Sequence, residues 1–548
     1  MIYLSALVLS MFTTIALSPI LRKLAGKYFA LDIPGGRKIH KHPTPKSGGI
    51  SMILGALVPI LLWTPGETFI ISILWGSWII SLFGFIDDMK DLPYVLKFMG
   101  QIAAAMVVVI YGGLKINNIG NLLPGISYLP DIVAAPLTVV VIVGVTNAIN
   151  LSDGLDGLAG GISLLVFICI GYLAFINGDR GVVVVCTAMI GSILGFLRFN
   201  THPASIFMGD AGSQLLGFLA ITLSLSLPQN KPGISPILPL LIMGLPIMDT
   251  LRVMGDRILD GKKPFEADTR HLHHRLMKMG LHHSEAVLAI YCLHAALITF
   301  AFVFRYHSDW FLLSVYIAFS ISIIFILSVI ERTGWQRGER YDFFDGILKT
   351  KLKWIKDSKI FIKIFFKLLE VGVPLLLITS CLITSTVASF VSTAAAVSGC
   401  ILMTALILKP EWSGIALKLS IYLLVPIIIY QSEINPAAWV NLALERGYNV
   451  LFVVVALLVL LVMKFTRRKS GFKSTPMDFL ILFIALVIPN IPDAQIRSYQ
   501  MGMIAAKVIC VYFGYEVLIG ELRTDYKRLS YVTIITLLLI CGRGFIGV

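Results

Sequence analysis

Three clustered acidic residues mark the first place where this sequence could do chemistry. Asp87, Asp88 and Asp91 lie in FGFIDDMKDLP, directly after an apolar run. Neighbouring carboxylates repel each other unless they share a cation or a proton. The string is therefore either a cation-binding group or a solvated helix end, and by itself it does not decide between them.

A second stretch, TNAINLSDGLDGLAGG, repeats an oxygen-bearing side chain every three residues, at Asn147, Asn150, Asp153 and Asp156. On a helix, or on a helix leading into a turn, this spacing puts the four side chains on roughly one face. The glycines let the backbone approach a neighbouring helix or a ligand. Packing alone does not need four aligned oxygen groups, so the pattern predicts a polar site.

In the third stretch, FNTHPASIFMGDAGSQLLGF, Asp210 lies beside glycines and either opens an apolar helix or lies near the end of one. This arrangement suits a hard cation, and Mg²⁺ is typically held by one or two carboxylates together with substrate phosphates. Phe207 lies one turn earlier. It is either a core aromatic or a stacking platform for a base.

The fourth stretch is a basic loop, DGKKPFEADTRHLHHRLMKMGLHH, which contains His271, His273 and His274. Zinc is one candidate ligand, but HLHH lacks the helical HExxH spacing and no cysteine is nearby. A diphosphate better explains a cluster of cationic and neutral donors.

The elements that must position these residues are membrane helices. The 548 residues are 57% apolar and 14% charged, against roughly 45–50% and 25% in soluble domains. These values exclude a soluble, disordered or disulfide-stabilised secreted protein. Continuous apolar runs exclude an outer-membrane barrel, whose strands alternate. The fold class is therefore all-α, a polytopic membrane protein.

Counting apolar runs of membrane-spanning length predicts about eleven spans up to residue 330 and about seven after residue 370. The first set lies near 1–20, 48–65, 68–86, 95–112, 131–149, 158–176, 181–198, 206–227, 234–253, 285–304 and 309–330. The second lies near 371–389, 391–408, 413–430, 448–463, 478–490, 500–520 and 530–547. The net charge of +14 is concentrated in the loops between runs. This disfavours nucleic acid as a partner, and the positive-inside rule puts all four motifs on the cytoplasmic face.

Three regions follow from these runs. Residues 1–330 form a membrane domain with the motifs, 331–370 form a basic linker, and 371–548 form a second membrane region. The linker is either an amphipathic helix on the anionic inner leaflet or a plain cytoplasmic connection. Charges within the last region, such as Lys507, either mark a lipid or glycan path or hold helices together.

The four motifs meet at one leaflet of the membrane. They combine acids that could bind a metal, basic groups that could bind phosphates, and glycines that allow close approach. This combination predicts phosphoryl transfer between a soluble phosphorylated donor and a lipid acceptor. A transporter would instead carry ionisable residues near the bilayer midplane in two matching halves.

The motifs, in their order, resemble the polyprenyl-phosphate N-acetylhexosamine-1-phosphate transferases, glycosyltransferase family 4, over about residues 1–330. The resemblance rests on LDIPGGRKIHKHPTPKSGGI, DDMKDLPYVLKFMGQ, NAINLSDGLDGLAGG and FMGDAGS. The loop ADTRHLHHRL is similar to that of the enzymes that initiate with an N-acetylhexosamine. The resemblance implies transfer of N-acetylglucosamine-1-phosphate from its UDP-sugar to undecaprenyl phosphate, with release of UMP, to start a cell-envelope polysaccharide such as O-antigen, teichoic acid or exopolysaccharide. The alternative is a phospho-N-acetylmuramoyl-pentapeptide transferase, and for the C-terminal half a transport or polymerisation module.

The resemblance also implies a role for each motif residue. Asn150 and Asp210 match the metal ligands. The positions implied to be catalytic are Asp87, Asp88, Lys97, Asp153 and Asp156. The positions implied to bind substrate are Lys41, Asn147, Asn200, Phe207, His271, His273 and His274, with Asn200 and Phe207 at the uridine and the histidines at the pyrophosphate or sugar.

The implied cofactor is Mg²⁺, with Mn²⁺ as a substitute. The implied partners are undecaprenyl phosphate, a UDP-N-acetylhexosamine and membrane lipid. A second copy of the chain and a downstream glycosyltransferase or polymerase are further candidate partners. The expected location is the bacterial inner membrane, with the active site facing the cytoplasm.

Overall fold

The chain folds into two compact units, each described here by itself. One unit comprises Met1–Arg340 with Thr475–Leu480, and the other comprises Tyr341–Ser474 with Ile481–Val548. The structure, a computed structural model, describes residues 2–28, 31–32, 43–64, 66–230, 233–262, 270–333, 359–385, 387, 389–408, 413–465, 501–522 and 527–546.

The first unit is a helical bundle with two short antiparallel strand pairs. Its helices are α1 (Ile2–Tyr28), α2 (Gly48–Trp63), α3 (Thr68–Lys90), α4 (Tyr94–Met106), α5 (Asp131–Ser152), α6 (Leu158–Asn177), α7 (Arg180–Asn200), α8 (Gly209–Asn230), α9 (Leu238–Ile242), α10 (Gly244–Leu259), α11 (Leu272–Lys278), α12 (His283–Val303) and α13 (Asp309–Arg332). Strands β1 (Leu31–Asp32) and β2 (Thr44–Pro45) pair, as do β3 (Asn118–Leu123) and β4 (Ile126–Tyr128). Helix α8 is central, since 94% of its apolar stretch is buried, against 17% for α13.

The described helices of the second unit are α14 (Lys359–Ile383), α15 (Ser389–Leu408), α16 (Ser413–Ile434), α17 (Leu442–Phe465), α18 (Met501–Leu522) and α19 (Lys527–Ile546). Helix α14 includes the last residues of the predicted linker, 359–370. Residues 334–358 of that linker lie outside the described residues.

The chain is an all-α polytopic membrane protein, as predicted, but the number of spans differs. Among the described residues, 12 helices are long and apolar enough to cross a membrane. Nine of them belong to the first unit and three to the second. One of the nine is Tyr94–Tyr111, in which α4 continues as a π-helical segment, Val107–Tyr111. The predicted division into about eleven and about seven spans is therefore not borne out.

Two runs of the first unit explain the lower number. The run at 48–65 gives α2, which has 16 residues and is shorter than the roughly 20 needed to cross a bilayer. The run at 234–253 is divided at Met243 into α9 and α10. Pro239 lies in the first turn of α9 and Pro246 in the first turn of α10, because proline lacks the N–H that a continuous helix needs and suits a helix start.

The second unit accounts for the rest of the difference. The predicted runs at 413–430, 500–520 and 530–547 form α16, α18 and α19, which are not among the 12 candidate spans. The predicted span at 478–490 lies outside the described residues.

A buried ion pair lies among the helices of the second unit. Lys507 Nζ of α18 is 2.5 Å from Glu433 Oε1 of α16, and the two side chains are 3% and 8% exposed. The same ammonium lies 4.3 Å from the centre of the Tyr448 ring in α17. The Tyr448 hydroxyl is hydrogen-bonded to Ser380 and Ser432. These contacts join four helices, as expected if the charges hold helices together. A lipid or glycan path here stays a prediction.

Close packing of α3 on α8 positions the acidic end of α3. A Cβ added at Gly84 would lie 2.6 Å from Ala211 Cα. We therefore expect Gly84→Ala to push the helices apart and to lower the free energy of unfolding by about 1–3 kcal/mol. Thermal unfolding in detergent measures this loss. Gly144→Ala is the matched control, because a Cβ at this α5 position meets nothing within 4 Å. Equal effects of the two substitutions would contradict the prediction.

Candidate active site

A network of acids and a lysine joins α3, α4 and α8. Lys97, in the first turn of α4, places Nζ 2.5 Å from Asp87 Oδ2 and 3.3 Å from Asp210 Oδ2. Asp87 Oδ1 accepts a hydrogen bond from the Leu92 N–H at 2.7 Å. The side chains of Lys97 and Asp210 are 33% and 28% exposed, whereas that of Asp87 is 3% exposed. A ligand can therefore reach Lys97 and Asp210 more readily than Asp87.

Asp88 uses its carboxylate to hold the first turn of α8. Its Oδ1 accepts from the Asp210 N–H at 2.9 Å, and its Oδ2 accepts from the Ala211 N–H at 3.1 Å. These are two of the backbone donors that a helix N-terminus leaves unpaired, and the helix dipole favours an anion there. Lys46 Nζ lies 3.7 Å from Asp88 Oδ1. Asp88 thus fixes the backbone of Asp210.

Two amide side chains of α5 face this network. Asn147 Nδ2 donates to Gln101 Oε1 at 2.6 Å. Asn150 Oδ1 accepts from the Ser213 hydroxyl at 2.6 Å. Because Ser213 lies one turn after Asp210, Asn150 is directed toward the same end of α8.

The acids that follow α5 lie in a turn, so the predicted helix leading into a turn is confirmed. Asp153 is the C-terminal cap residue of α5. Asp156 Oδ2 lies 2.7 Å from His202 Nδ1 and accepts from the Ala204 N–H at 3.1 Å. This turn is therefore tied to the loop between α7 and α8.

Asn200 connects the same two segments through its side-chain amide. Its Oδ1 accepts from the Gly157 N–H at 2.8 Å, and its Nδ2 donates to the Ile206 carbonyl at 2.9 Å. Asn200 is buried, and these bonds shape the loop that carries the half-buried Phe207. The contacts of both residues with uridine stay predictions.

The histidine loop is anchored by an acid of α10. Asp249 Oδ2 lies 2.9 Å from His271 Nδ1, and Asp249 Oδ1 accepts from the Leu272 N–H at 2.8 Å. Asp249 thereby fixes the start of α11.

His273 packs directly on the turn after α5. A Cβ added at Gly154 would overlap the His273 ring, so only glycine permits this approach. The ring centres of His273 and His274 are 4.2 Å apart. Burial, and then the neighbouring His274 and His271, lower the pKa of His273 to about 3. His273 is therefore a neutral imidazole that offers one donor and one acceptor.

Asp153 makes the stability of this turn depend on pH. Burial, and then the nearby charges of Asp88 and Asp156, raise the pKa of Asp153 to about 7. Between about pH 4, the ordinary value, and pH 7 the folded chain binds this proton more tightly than the unfolded chain, so stability falls as pH rises through that window. In Asp153→Asn the free energy of unfolding should fall by about 1–2 kcal/mol less over this pH range. This figure is reduced because the Asp153 side chain is partly exposed to solvent.

The measurement for Asp153 is the melting temperature of wild type and Asp153→Asn from about pH 5 to about pH 8, in a chelator, since the expected change ends near the raised pKa. A parallel decline of both proteins with pH would show that other groups cause it.

The structure brings most of the predicted site residues into two connected groups. One surrounds the start of α8, and the other joins the turn after α5 to the histidine loop. Lys41 lies outside the described residues. Sequence analysis missed Lys46 and Asp249 as site residues. Lys46 lies in the quoted PKSGGI string, and Asp249 is an acid within an apolar run, which is itself a signal of function.

The oxygen groups at the start of α8 fit a hard divalent cation. Asp210 supplies a carboxylate and Asn150 an amide oxygen, which are ligands that Mg²⁺ and Mn²⁺ accept. The network also contains three acids and two lysines, so its negative charge is only partly balanced.

Comparison with known proteins points to one family. Residues 70–227 match Glycosyl transferase family 4. The chain is 38% identical over 336 residues to a Bacillus subtilis (strain 168) protein named "Probable undecaprenyl-phosphate N-acetylglucosaminyl 1-phosphate transferase", covering 60% of this chain and 91% of that protein.

Two further relatives have similar names. The chain is 35% identical over 303 residues to the decaprenyl-phosphate N-acetylglucosaminephosphotransferase of Mycobacterium leprae (strain TN), covering 49% of this chain and 75% of the relative. It is 31% identical over 288 residues to the undecaprenyl-phosphate alpha-N-acetylglucosaminyl 1-phosphate transferase of Escherichia coli (strain K12), covering 51% and 77%.

Proposed function

The chain belongs to the polyprenyl-phosphate N-acetylglucosamine-1-phosphate transferases of glycosyl transferase family 4, and we propose that it transfers N-acetylglucosamine-1-phosphate from UDP-N-acetylglucosamine to undecaprenyl phosphate. UMP leaves, and the lipid product starts a cell-envelope polysaccharide. The observation that carries the proposal is the network of Asp87, Lys97 and Asp210, a partly exposed ammonium held between two acids at the ends of three helices.

The lipid phosphate would bind at Lys97. Its side chain is the more exposed of the two lysines in this network, at 33% against 25% for Lys46, and Asp87 holds its ammonium from the buried side. A phosphate monoester has a second pKa of about 6, so a strong base is hardly needed to create the nucleophile. A lipid phosphate oxygen then attacks the β-phosphorus directly, and the bond from that phosphorus to the UMP oxygen breaks.

Asp88 acts as a positioning residue in this proposal. Its oxygens hold the N–H groups of Asp210 and Ala211, so it sets where the Asp210 carboxylate points. Asp210 and Asn150 would hold the Mg²⁺ ion. When bound, the ion supplies a positive charge that stabilises the diphosphate and the leaving nucleotide.

The donor would lie between the turn after α5 and the histidine loop. His273 contacts Gly154 of that turn, and Asp249 fixes His271 beside it. The neutral imidazole of His273 can donate a hydrogen bond to a diphosphate oxygen. Phe207 would stack on the uracil, with Asn147 and Asp156 among the groups that bind the nucleotide.

We also propose the division into a transferase domain (1–330), a linker (331–370) and a second membrane region (371–548). The boundary along the sequence between the two compact units falls after residue 340, within the proposed linker, and it supports this division. The basic loops that carry the site support a cytoplasmic active site in a bacterial inner membrane. Transport or polymerisation of the lipid-linked product is the role proposed for the second region.

The test is release of UMP by the purified full-length protein from a panel of UDP-sugars, with and without undecaprenyl phosphate. We expect release from UDP-N-acetylglucosamine that needs both the lipid and Mg²⁺. Lipid-independent release would indicate a hydrolase. Release from UDP-N-acetylmuramoyl-pentapeptide alone would establish the alternative peptidoglycan reaction, and no release from any donor would contradict the proposal.

A further inference from the structure

Three helix ends of the first unit bring an acid and two histidines together. Asp156 precedes α6, His202 follows α7, and His283 is the first residue of α12. The rings of His202 and His283 are stacked, with centroids 4.1 Å apart and planes 20° apart. One ring nitrogen of each histidine and a carboxylate oxygen of Asp156 all lie within 4.8 Å of one another.

We propose that Asp156, His202 and His283 form a binding site for a transition-metal dication such as Zn²⁺. Two imidazoles and one carboxylate are the donor set that borderline ions such as Zn²⁺ and Co²⁺ prefer, whereas Mg²⁺ prefers oxygen ligands. The site is therefore distinct in chemistry from the oxygen groups of Asn150 and Asp210. It shares Asp156 with the proposed nucleotide site, but binding of the dication does not depend on the transferase reaction.

The geometry allows the ligands to close on one ion. Zinc lies roughly 2.0–2.2 Å from nitrogen and oxygen ligands, which puts tetrahedral ligands roughly 3.4 Å apart. The ligand atoms here are at most 4.8 Å apart, so they need to approach one another by no more than about 1.4 Å. His202 can make that movement, because its side chain is 42% exposed in the loop after α7. Its Nδ1 is already 2.7 Å from Asp156 Oδ2.

His283 has a ring nitrogen that the described residues leave unused. Its Nε2 lies 3.4 Å from the Asp156 carbonyl oxygen. Its Nδ1 is buried without a hydrogen-bond partner among the parts of the chain that the structure describes. A buried polar atom without a partner costs free energy, and either nitrogen of a neutral imidazole can serve as a metal ligand.

The surroundings add negative charge and further imidazole. Asp153 lies close enough to Asp156 for their charges to interact, and His273 lies close enough to His283. An ionised carboxylate nearby attracts a dication, so Asp153 adds to the affinity of the site when it is ionised.

The test is a titration of the full-length protein with Co²⁺, using an affinity tag without histidines. We expect visible d–d absorption typical of low-coordinate Co²⁺, lost when Zn²⁺ is added but unchanged by excess Mg²⁺. His202→Ala should weaken Co²⁺ binding by at least about tenfold, the effect that even indirect ligand changes reach. His307→Gln, an exposed histidine outside the cluster, is the matched control and should bind as wild type does.

Three outcomes would overturn the metal site. They are no Co²⁺ absorption in wild type, displacement of Co²⁺ by Mg²⁺, and equal binding by wild type and His202→Ala. The first would leave Asp156 and His202 as a simple hydrogen-bonded pair. His283→Gln gives a second check, since circular dichroism can verify its helix content independently. Co²⁺ binding needs neither lipid nor UDP-sugar. The titration therefore tests the metal site even if the protein has no transferase activity.

Discussion

Asp210→Asn is expected to lower kcat for UMP release by about 10³-fold, because a charged group aimed at developing phosphate charge contributes on this scale. The substitution keeps the size of the side chain and the backbone N–H that binds Asp88. It removes the charge that faces Lys97 and that would hold the metal. We also expect a higher Mg²⁺ concentration for half-maximal rate. Both quantities come from UMP release as a function of Mg²⁺ with purified protein.

Asp131→Asn is the control for this prediction. Asp131 begins α5, the helix that carries Asn150, but its side chain is 68% exposed and pairs with Lys115. An exposed substitution of this kind changes free energies by about 0.5 kcal/mol at most, so the rate should stay within about a factor of two. An Asp210→Asn enzyme that keeps a tenth of the wild-type kcat would rule out the proposed role of Asp210.

The fold was predictable where a run was long, apolar and uninterrupted. Such runs give α5, α6 and α7, because a membrane helix needs only length and composition. The prediction failed at 234–253, where prolines divide an apolar run into two helices. It also failed at α2, whose 16 residues are followed by Thr64, the C-terminal cap of that helix. Hydropathy does not register either interruption, since proline and small residues barely change its mean.

The site was predictable as a set of residue types, but not as a set of contacts. The spacing of Asn147, Asn150 and Asp153 predicts one face, and these residues follow one helix into its cap. The capping of α8 by Asp88 joins residues more than a hundred positions apart. No local pattern encodes such a bond, because its partner is a backbone N–H that any residue could supply. Asp249 was missed for the same reason, since its partners lie on another helix.

Lys97→Met is expected to lower kcat by about 10²–10³-fold, through loss of the partly exposed ammonium that would bind the lipid phosphate. Methionine keeps most of the apolar stem, so the loss reports the charge. Lys97→Arg should recover part of the rate, although its wider guanidinium fits poorly between the two acids. Lys90→Met is the matched control. Lys90 is an exposed lysine at the end of α3, and its removal should leave the rate within about twofold.

Combining Lys97→Met with Asp87→Asn tests how the two residues work together. Asp87 is 3% exposed and lies 2.5 Å from Lys97 Nζ, so we infer that it acts by holding the ammonium. Asp87→Asn alone should then reduce kcat by about tenfold or more, but it should cost little when Lys97 is already methionine. Residues in direct contact show such non-additivity, whereas independent groups give additive changes in free energy. Additive losses in the double variant would mean that Asp87 contacts the reacting phosphate itself. The Asp87 carboxylate would then act as the general base in the attack.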